Sequence, residues 1–206
     1  QALDDADLTP FRRQFARPEE KIVLYVGRMV REKGVETLLR SIPRVLAAVP
    51  QAKFVMAGKG PELPELRQIS REMGIADQVL MPGFVSNDER NRLFKVADCA
   101  VFPSLYEPFG IVALEAMASR TPVVVSEVGG LSEVVRHAET GITIYPNNVG
   151  SCAWGIAHTL QHPEWAKQRA ENAYHEVLTA YNWNAIAAKT LQVYERIVSE
   201  RARTEW

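Results

Sequence analysis

The sequence alternates short apolar runs with longer segments of helical periodicity. The first run is Lys21-Ile22-Val23-Leu24-Tyr25-Val26-Gly27, and the segment that follows, 35–49, repeats apolar residues at helical spacing. Such alternation is typical of βαβ units, in which helices cover both faces of a parallel sheet. The runs are almost continuously apolar, as strands buried on both faces are. The pattern predicts an α/β fold with a Rossmann-like, doubly wound parallel sheet.

About six strands are predicted. They cover 21–27, 53–58, 78–81, 99–103, 122–125 and 141–145, and helices are predicted at 35–49, 62–73, 88–96 and 110–119. After Pro146 the strand signals stop, and only helices are predicted, at 149–161, 163–180 and 183–203. We therefore predict a linker or arm at 1–20, a Rossmann-like domain at 21–148 and a C-terminal helical extension at 149–206 that packs on it. Pro10 and Pro18 are expected to interrupt any helix in the arm.

Charge and composition exclude several classes of protein. The 206 residues include 24 Lys and Arg against 25 Asp and Glu, a net charge of −1 with no basic block. No nucleic-acid partner is expected, because such proteins concentrate cations on one face. No run reaches the roughly 18–20 apolar residues that span a bilayer, and the polar start predicts no export signal. Cys99 and Cys152 form no disulfide framework, so we expect a soluble, cytoplasmic protein in which both thiols pack as small apolar groups.

A doubly wound sheet favours a nucleotide ligand, yet the common nucleotide fingerprints are absent. Gly58-Lys59-Gly60 begins like G-x-G-x-x-G, but the sixth position is Leu63 and the segment follows the second strand instead of the first. No G-x-x-x-x-G-K-[ST] occurs. NAD or FAD binding and ordinary NTP hydrolysis are therefore not favoured. In the common strand order 3-2-1-4-5-6, ligands bind where the order reverses, between strands one and four.

Two loops are predicted to meet at that crevice. The segment Gly27-Arg28-Met29-Val30-Arg31-Glu32-Lys33-Gly34 follows strand one and carries three cations, and a second loop leads from strand four into a helix. The N–H groups of Gly110 and Ile111 begin that helix without helical partners, at the positive end of its dipole, where a phosphate can bind. Glu107 and Glu115 flank this position and would repel an anion unless they accept hydrogen bonds from hydroxyl groups. Sugar and ribose hydroxyls are such donors.

The segment Glu107-Pro108-Phe109-Gly110-Ile111-Val112-Ala113-Leu114-Glu115 is an E-x₇-E motif and resembles the signature of the retaining glycosyltransferases of family GT4. The cationic loop is similar to the basic loop of that family, Ala57-Gly58-Lys59-Gly60-Pro61 to its A-G-x-G-P turn, and 122–133 to its next strand and turn. The resemblance implies one half of a GT-B fold, in which two Rossmann-like domains face each other across a cleft. The resemblance is to the C-terminal, donor-binding half, which implies a longer parent enzyme with an N-terminal acceptor-binding domain. The isolated domain is therefore expected to be inactive.

The resemblance also implies a substrate and a role for each site residue. The substrate is a nucleotide-diphosphate hexose with UDP, GDP or ADP as the nucleotide, and no cofactor or metal is implied. Arg28 and Lys33 hold the diphosphate and stabilise it as the leaving group, while Glu107 contacts the transferred sugar. The other donor-binding positions are Gly27 in the basic loop, Glu115 at the ribose, Val85 at the base, and the N–H groups of Phe109, Gly110 and Ile111. Membrane contact is implied only for a parent enzyme with a lipid acceptor.

Other functions stay open beside this one. They are a GT-B-type UDP-sugar 2-epimerase, a non-catalytic nucleotide-sugar-binding module and, from the carboxylate pair alone, a glycosidase. The glycosidase is disfavoured, because a hydrolase has no use for a phosphate grip between its two acids. Asp5-Ala6-Asp7 spells a metal-binding D-x-D motif but lies in a polar terminus, so it is attributed to chance.

The aromatic and imidazole side chains of the helical segment are predicted to be structural. Trp154, Trp165 and Trp183 are expected to pack in its core instead of forming a carbohydrate platform. The histidines show no metal-ligand spacing, and surface or capping roles are expected for all four, His137, His158, His162 and His175.

Overall fold

The computed structural model describes residues 7–203, and residues 1–6 and 204–206 lie outside that description. Its centre is a six-stranded, all-parallel sheet with the order β3-β2-β1-β4-β5-β6. The strands are β1 (Lys21–Val26), β2 (Ala52–Ala57), β3 (Val79–Gly83), β4 (Cys99–Phe102), β5 (Val123–Ser126) and β6 (Ile142–Ile144). The predicted Rossmann-like doubly wound sheet is confirmed, including the reversal of strand order between β1 and β4.

Helices connect the strands and continue after β6. In chain order they are α1 (Thr9–Arg12), α2 (Val35–Ala48), α3 (Leu63–Glu72), α4 (Asn87–Val96), α5 (Ile111–Ala118), α6 (Gly129–Val134), α7 (Val149–Gln161), α8 (Pro163–Ala180) and α9 (Trp183–Arg203). Short 3₁₀ turns lie at Arg31–Lys33 and Ala76–Gln78. No described helix has the long apolar stretch that crossing a bilayer requires.

The sheet buries both of its faces, and alternate residues of β1 point into two separate cores. Val23 and Tyr25 pack with the apolar sides of α2, α3 and α7. Ile22 and Leu24 pack on the opposite face with residues of α4, α5 and α8. Because successive side chains of a strand point to opposite faces, an uninterrupted apolar run is what a strand covered on both sides needs.

Two parts of the chain differ from the sequence-based expectation. Helix α6 was not predicted, because its six residues begin with Gly129 and Gly130 and are too few to show helical periodicity. In the arm, the proline expected to interrupt a helix lies in the first turn of α1, where a missing N–H costs nothing. The segment then packs on the fold, with Ala16 buried against the second core.

The helical segment from residue 149 begins with a helix that packs directly on the sheet. Helix α7 contacts α2 and β6 and places Cys152, Ile156 and Leu160 in the first core. Cys99 in β4 and Cys152 are fully buried, and burial raises the pKa of both thiols, that of Cys152 to about 12. Both cysteines therefore pack as small apolar groups, as predicted.

The predicted burial of the tryptophans is wrong. Trp154, Trp165 and Trp183 are 50%, 60% and 84% exposed. On α7 the buried face is formed by small and aliphatic residues, so the ring of Trp154 falls beside it on the solvent side. Helix α9 also exposes its apolar side to solvent, at Ile186, Leu191, Tyr194, Ile197 and Val198.

Candidate active site

The loops after β1 and β4 meet at the switch point, and backbone contacts hold them together. The carbonyl oxygen of Glu32 accepts hydrogen bonds from the N–H groups of Leu105, at 2.8 Å, and Tyr106, at 3.1 Å. Gly34 has a φ of 62°, and a Cβ atom there would lie 2.0 Å from the carbonyl oxygen of Pro103. Only glycine fits this approach, so the two loops keep a fixed separation.

The G-x-G segment after β2 supports the first loop from the other side. A Cβ atom on Gly58 would lie 1.7 Å from the carbonyl oxygen of Gly27, and one on Gly60 would lie 2.1 Å from that of Met29. The Met29 N–H also donates to the Lys59 carbonyl oxygen, at 2.8 Å. These glycines let two chain segments pack closely, which explains the A-G-x-G-P turn without a phosphate-binding role for it.

Helix α6 supports the second loop in the same manner. The Gly130 N–H donates to the carbonyl oxygen of Glu107 at 2.8 Å, and a Cβ atom on Gly129 would lie 2.3 Å from that oxygen. A Cβ atom on Gly130 would lie 2.5 Å from the carbonyl carbon of Phe109. Sequence analysis matched this Gly-Gly pair to a turn of the family and did not predict its contact with the second loop, although two adjacent glycines after a strand are themselves a signal of close backbone packing.

A cavity of about 280 Å³ opens between the loops and brings together five of the nine predicted site residues. These are Gly27, Arg28, Lys33, Glu107 and Glu115. The Lys33 Nζ atom lies 2.5 Å from Glu107 Oε2, and Ser104 Oγ donates to the same carboxylate oxygen at 3.5 Å. Glu107 is only 8% exposed, so this ion pair is a largely desolvated element of the site.

The second carboxylate has a cation that sequence analysis missed. Arg90 on α4 lines the same cavity, and its NH1 atom lies 3.1 Å from Glu115 Oε1. A cation one helix away from the motif loops gives no signal in the sequence, because its position depends on how α4 packs against α5. Arg28, Lys33 and Arg90 outnumber the two carboxylates in the cavity, which leaves it a net charge of +1.

The start of α5 closes one side of the site. Gly110, at a φ of 74°, is the residue before the helix, and no side chain caps the helix start. The side chains of Phe109 and Ile111 point to solvent, 74% and 62% exposed, so their backbone groups are what they offer to a ligand. The helix start thus presents N–H donors beside the charged cavity.

Val85, predicted to contact the base, does not line this cavity. It follows β3 and packs its partly buried side chain against the second core. Its neighbour Phe84 is 67% exposed, and the Lys59 ammonium lies over its ring, 4.9 Å from the centroid. Phe84 was not singled out by sequence analysis, since a lone aromatic residue after a strand is most often packed inside.

Tyr25, a buried residue of β1, holds the loop after β1 in position. Its hydroxyl donates to the backbone carbonyl oxygen of Arg28 at 2.8 Å. Burial, assisted by the negative charge of Glu107, raises the pKa of Tyr25 well above its ordinary range, so the phenol stays protonated and acts as a donor. A buried strand residue thereby sets the position of the arginine predicted to bind phosphate.

No group of three or more His, Cys, Asp or Glu side chains in residues 7–203 is arranged to hold a metal ion. Of the D-x-D tripeptide, Asp5 and Ala6 lie outside the described residues. The Asp7 carboxylate accepts a hydrogen bond from the Thr9 N–H at 2.9 Å, at the start of α1.

Comparison with known proteins identifies the family. The family model for glycosyl transferases group 1 matches residues 9–176. The chain belongs to this family. The matched segment includes both loops of the cavity, and the sheet corresponds to one Rossmann-like half of known GT-B glycosyltransferase structures.

Individual group 1 glycosyltransferases are similar along almost the whole chain. An uncharacterized glycosyltransferase of Methanocaldococcus jannaschii is 44% identical over 90% of this chain and 47% of its own length. A glycogen synthase of Mycobacterium tuberculosis is 36% identical, covering 92% of this chain and 46% of its own. The structure of a sucrose-phosphate synthase from Thermosynechococcus elongatus superimposes with a TM-score of 0.79 at 35% identity, over 92% of this chain and 48% of that one. The chain thus spans about half the length of the relatives it matches.

Proposed function

We propose that this chain is the donor-binding half of a retaining glycosyltransferase, which moves a hexose from a nucleotide-diphosphate sugar to an acceptor. The observation that supports this most is the junction of Arg28, Lys33, Glu107 and Glu115 in one cavity at the switch point, beside the uncapped start of α5. A nucleotide sugar carries both an anion and hydroxyl groups, and the cavity offers cations and carboxylates side by side. Membership in a sugar-transferring family supports the same assignment.

The geometry suggests how charge is handled during transfer. When the bond between the sugar and the diphosphate breaks, negative charge grows on the departing phosphate oxygens. Arg28, Lys33 and the N–H groups at the start of α5 stabilise that charge, and they are already held in place before the reaction begins. Lys33 is oriented by its ion pair with Glu107, so it can bind phosphate with one N–H while donating another to the carboxylate.

In this proposal the two carboxylates bind hydroxyl groups of the nucleotide sugar. Glu107, desolvated and fixed by Lys33 and Ser104, positions the transferred hexose without attacking it. Glu115, held by Arg90, accepts hydrogen bonds from the ribose. The backbone of Val85 contacts the base.

A Glu107→Gln variant of the two-domain parent that kept full turnover would refute the role of Glu107.

The exposed side of α9 supports a two-domain parent. Its apolar residues, among them Tyr194 at 63% and Val198 at 69% exposure, form a stripe without a partner in the described part of the chain. We infer that the N-terminal acceptor-binding domain covers this stripe. The relatives, about twice as long as this chain, have the additional length that such a domain requires.

Calorimetric titration tests the donor site directly. The chain is titrated with UDP, GDP and ADP, in parallel with an Arg28→Ala/Lys33→Ala double variant. We expect one diphosphate to bind, with at least about a tenfold loss of affinity in the double variant, since two charge-assisted contacts are removed. A Lys189→Ala/Arg196→Ala double variant on α9 removes the same charge elsewhere and is expected to bind like the parent chain. Equal binding by the Arg28/Lys33 variant would disprove the proposed site.

A further inference from the structure

A second, larger cavity of about 740 Å³ lies on the flank of the sheet, between β6 and the first two turns of α7. It is lined by aromatic side chains, Tyr145 and Trp154, together with polar ones that include Glu127, His137 and Asn148. Its volume is in the range of small-molecule sites, about 300–1,000 Å³. Glu127 follows β5 and Tyr145 follows β6, so the cavity opens at the same edge of the sheet as the candidate active site. We call it the flank pocket.

The aromatic rings of the flank pocket lie outside both hydrophobic cores. Tyr145 is 67% and Trp154 50% exposed, while the neighbouring core of α7 is filled by other residues. The Trp154 ring lies nearly parallel to the imidazoles of His137 and His158, with angles of 19° between the planes and centroids 6.3 and 5.3 Å apart. Exposed aromatic rings that line a cavity together with polar groups are typical of a small-molecule site.

The edge strand beside the pocket does not accept a peptide as an additional strand. The Thr143 N–H donates to His137 Nδ1 at 3.1 Å, and the Tyr145 N–H donates to Ser151 Oγ at 3.0 Å. The Gly141 carbonyl oxygen accepts from the Ala138 N–H at 2.8 Å. Three backbone groups along this edge thus already have partners, which disfavours an added strand, so recognition here depends on side chains.

These side chains match the chemistry of a carbohydrate. A pyranose ring has an apolar C–H face, which packs on an aromatic ring, and a rim of hydroxyl groups that both donate and accept hydrogen bonds. Glu127 supplies a carboxylate acceptor and Asn148 an amide. His137 accepts at Nδ1, so its neutral ring carries a proton on Nε2 and donates there. A lipid chain would leave these polar groups without partners, and the carboxylate disfavours an anionic ligand.

We propose that the flank pocket binds a short neutral oligosaccharide, with a sugar ring packed on Trp154 and Tyr145 and its hydroxyls bonded to Glu127, His137 and Asn148. In a sugar-transferring enzyme this ligand is a segment of acceptor or product glycan, held away from the reacting end. That assignment rests on the proposed function, whereas the binding site itself rests on the pocket. The pocket holds a growing glycan at the edge of the sheet where the donor site also opens.

The test measures binding of two defined oligosaccharides, maltohexaose and α-1,6-linked mannohexaose, by calorimetry and by intrinsic tryptophan fluorescence. We expect one of them to bind the chain with a Kd of about 1 mM or below. Trp154→Ala and Tyr145→Ala are each expected to weaken binding about tenfold. Tyr145 is the safer second variant, because its exposed ring is outside both cores.

Two controls make the outcome decisive. Trp183→Ala removes an 84%-exposed tryptophan far along the chain on α9 and is expected to leave oligosaccharide binding unchanged. The Arg28→Ala/Lys33→Ala variant should bind the oligosaccharide normally while failing to bind nucleotide, which separates failure of this proposal from failure of the donor site. Absence of binding by both sugars, or equal binding by the Trp154 and Tyr145 variants, overturns the proposal.

Discussion

The cavity of the candidate active site, or donor crevice, and the flank pocket lie at the same edge of one sheet but are formed by different parts of the chain. The shape of the donor crevice is set by close contacts between backbone segments. Glycine allows the backbone to approach closely at three places, where Gly34 meets Pro103, Gly58 meets Gly27 and Gly129 meets Glu107. The flank pocket is formed by exposed side chains on an edge strand and a helix surface. The crevice therefore has its shape set by the fold, whereas the flank pocket can lose its function without any change in the fold.

The strongest test of this difference is Gly34→Ala. Alanine there must adopt a positive φ and place its Cβ atom 2.0 Å from the Pro103 carbonyl oxygen, which forces the two loops apart. We expect a loss of about 3 kcal/mol or more in the free energy of unfolding, measured by chemical denaturation.

Gly74→Ala is the matched control for that variant. Gly74 has nearly the same backbone conformation, with a φ of 68°, but nothing lies within 4 Å of its added Cβ atom. It is expected to lose only the cost of a left-handed alanine, about 1–2 kcal/mol. Equal losses for the two variants would mean that the close approach of the loops contributes nothing.

A second, smaller effect is expected inside the crevice for Arg90→Ala. The variant removes the guanidinium 3.1 Å from Glu115, so the carboxylate proposed to bind ribose loses its orientation. The affinity for the bound nucleoside diphosphate should fall about 3- to 10-fold, equivalent to one hydrogen bond of about 1 kcal/mol. Inorganic diphosphate, which has no ribose, should lose less than the nucleotide does.

The control is Arg196→Ala, which deletes one positive charge from an exposed pair on α9. If it weakens nucleotide binding as much as Arg90→Ala does, the effect is one of net charge and Arg90 does not act through Glu115.

The difference between the two regions also explains what the sequence can predict. Glycines, helix starts and charges at strand ends follow from local sequence, so the crevice, its strand order and residues such as Lys33 and Glu107 could be placed in advance. Arg90, the Gly129-Gly130 support and the exposure of Trp154 depend on how helices pack on the sheet. Periodicity shows that a helix has an apolar side. It does not show whether an aromatic residue at the margin of that side, such as Trp154, is buried or exposed.

Tyr25→Phe tests how far the buried strand controls the crevice. The variant keeps the ring in the core and deletes only the hydroxyl that donates to the Arg28 carbonyl oxygen at 2.8 Å. We expect nucleotide affinity to fall about 2- to 5-fold, because Arg28 is less well positioned, with a stability loss of about 0.5–1.5 kcal/mol. Tyr194→Phe, on the exposed side of α9, should change neither quantity. Unchanged affinity in Tyr25→Phe would show that the arginine loop is positioned without the phenol.

The smallest effect is expected beside the flank pocket, and it depends on pH. Burial, followed by the electrostatic influence of His162, Arg169 and His137, lowers the pKa of His158. The unfolded chain therefore binds a proton at this residue more readily than the folded chain, so stability rises with pH and is lost as the pH falls from about 6.5. His158→Phe keeps a flat ring beside Trp154 and removes the titrating group. Between pH 7.5 and 5.5 the melting temperature of the variant should fall by about 1 °C less than that of the parent chain. His175→Phe, at an exposed position on α8, should follow the parent chain over the same range. A His158→Phe variant with the parent's full pH dependence would show that His158 titrates alike in the folded and unfolded chains, and that the ring stack tolerates its charge.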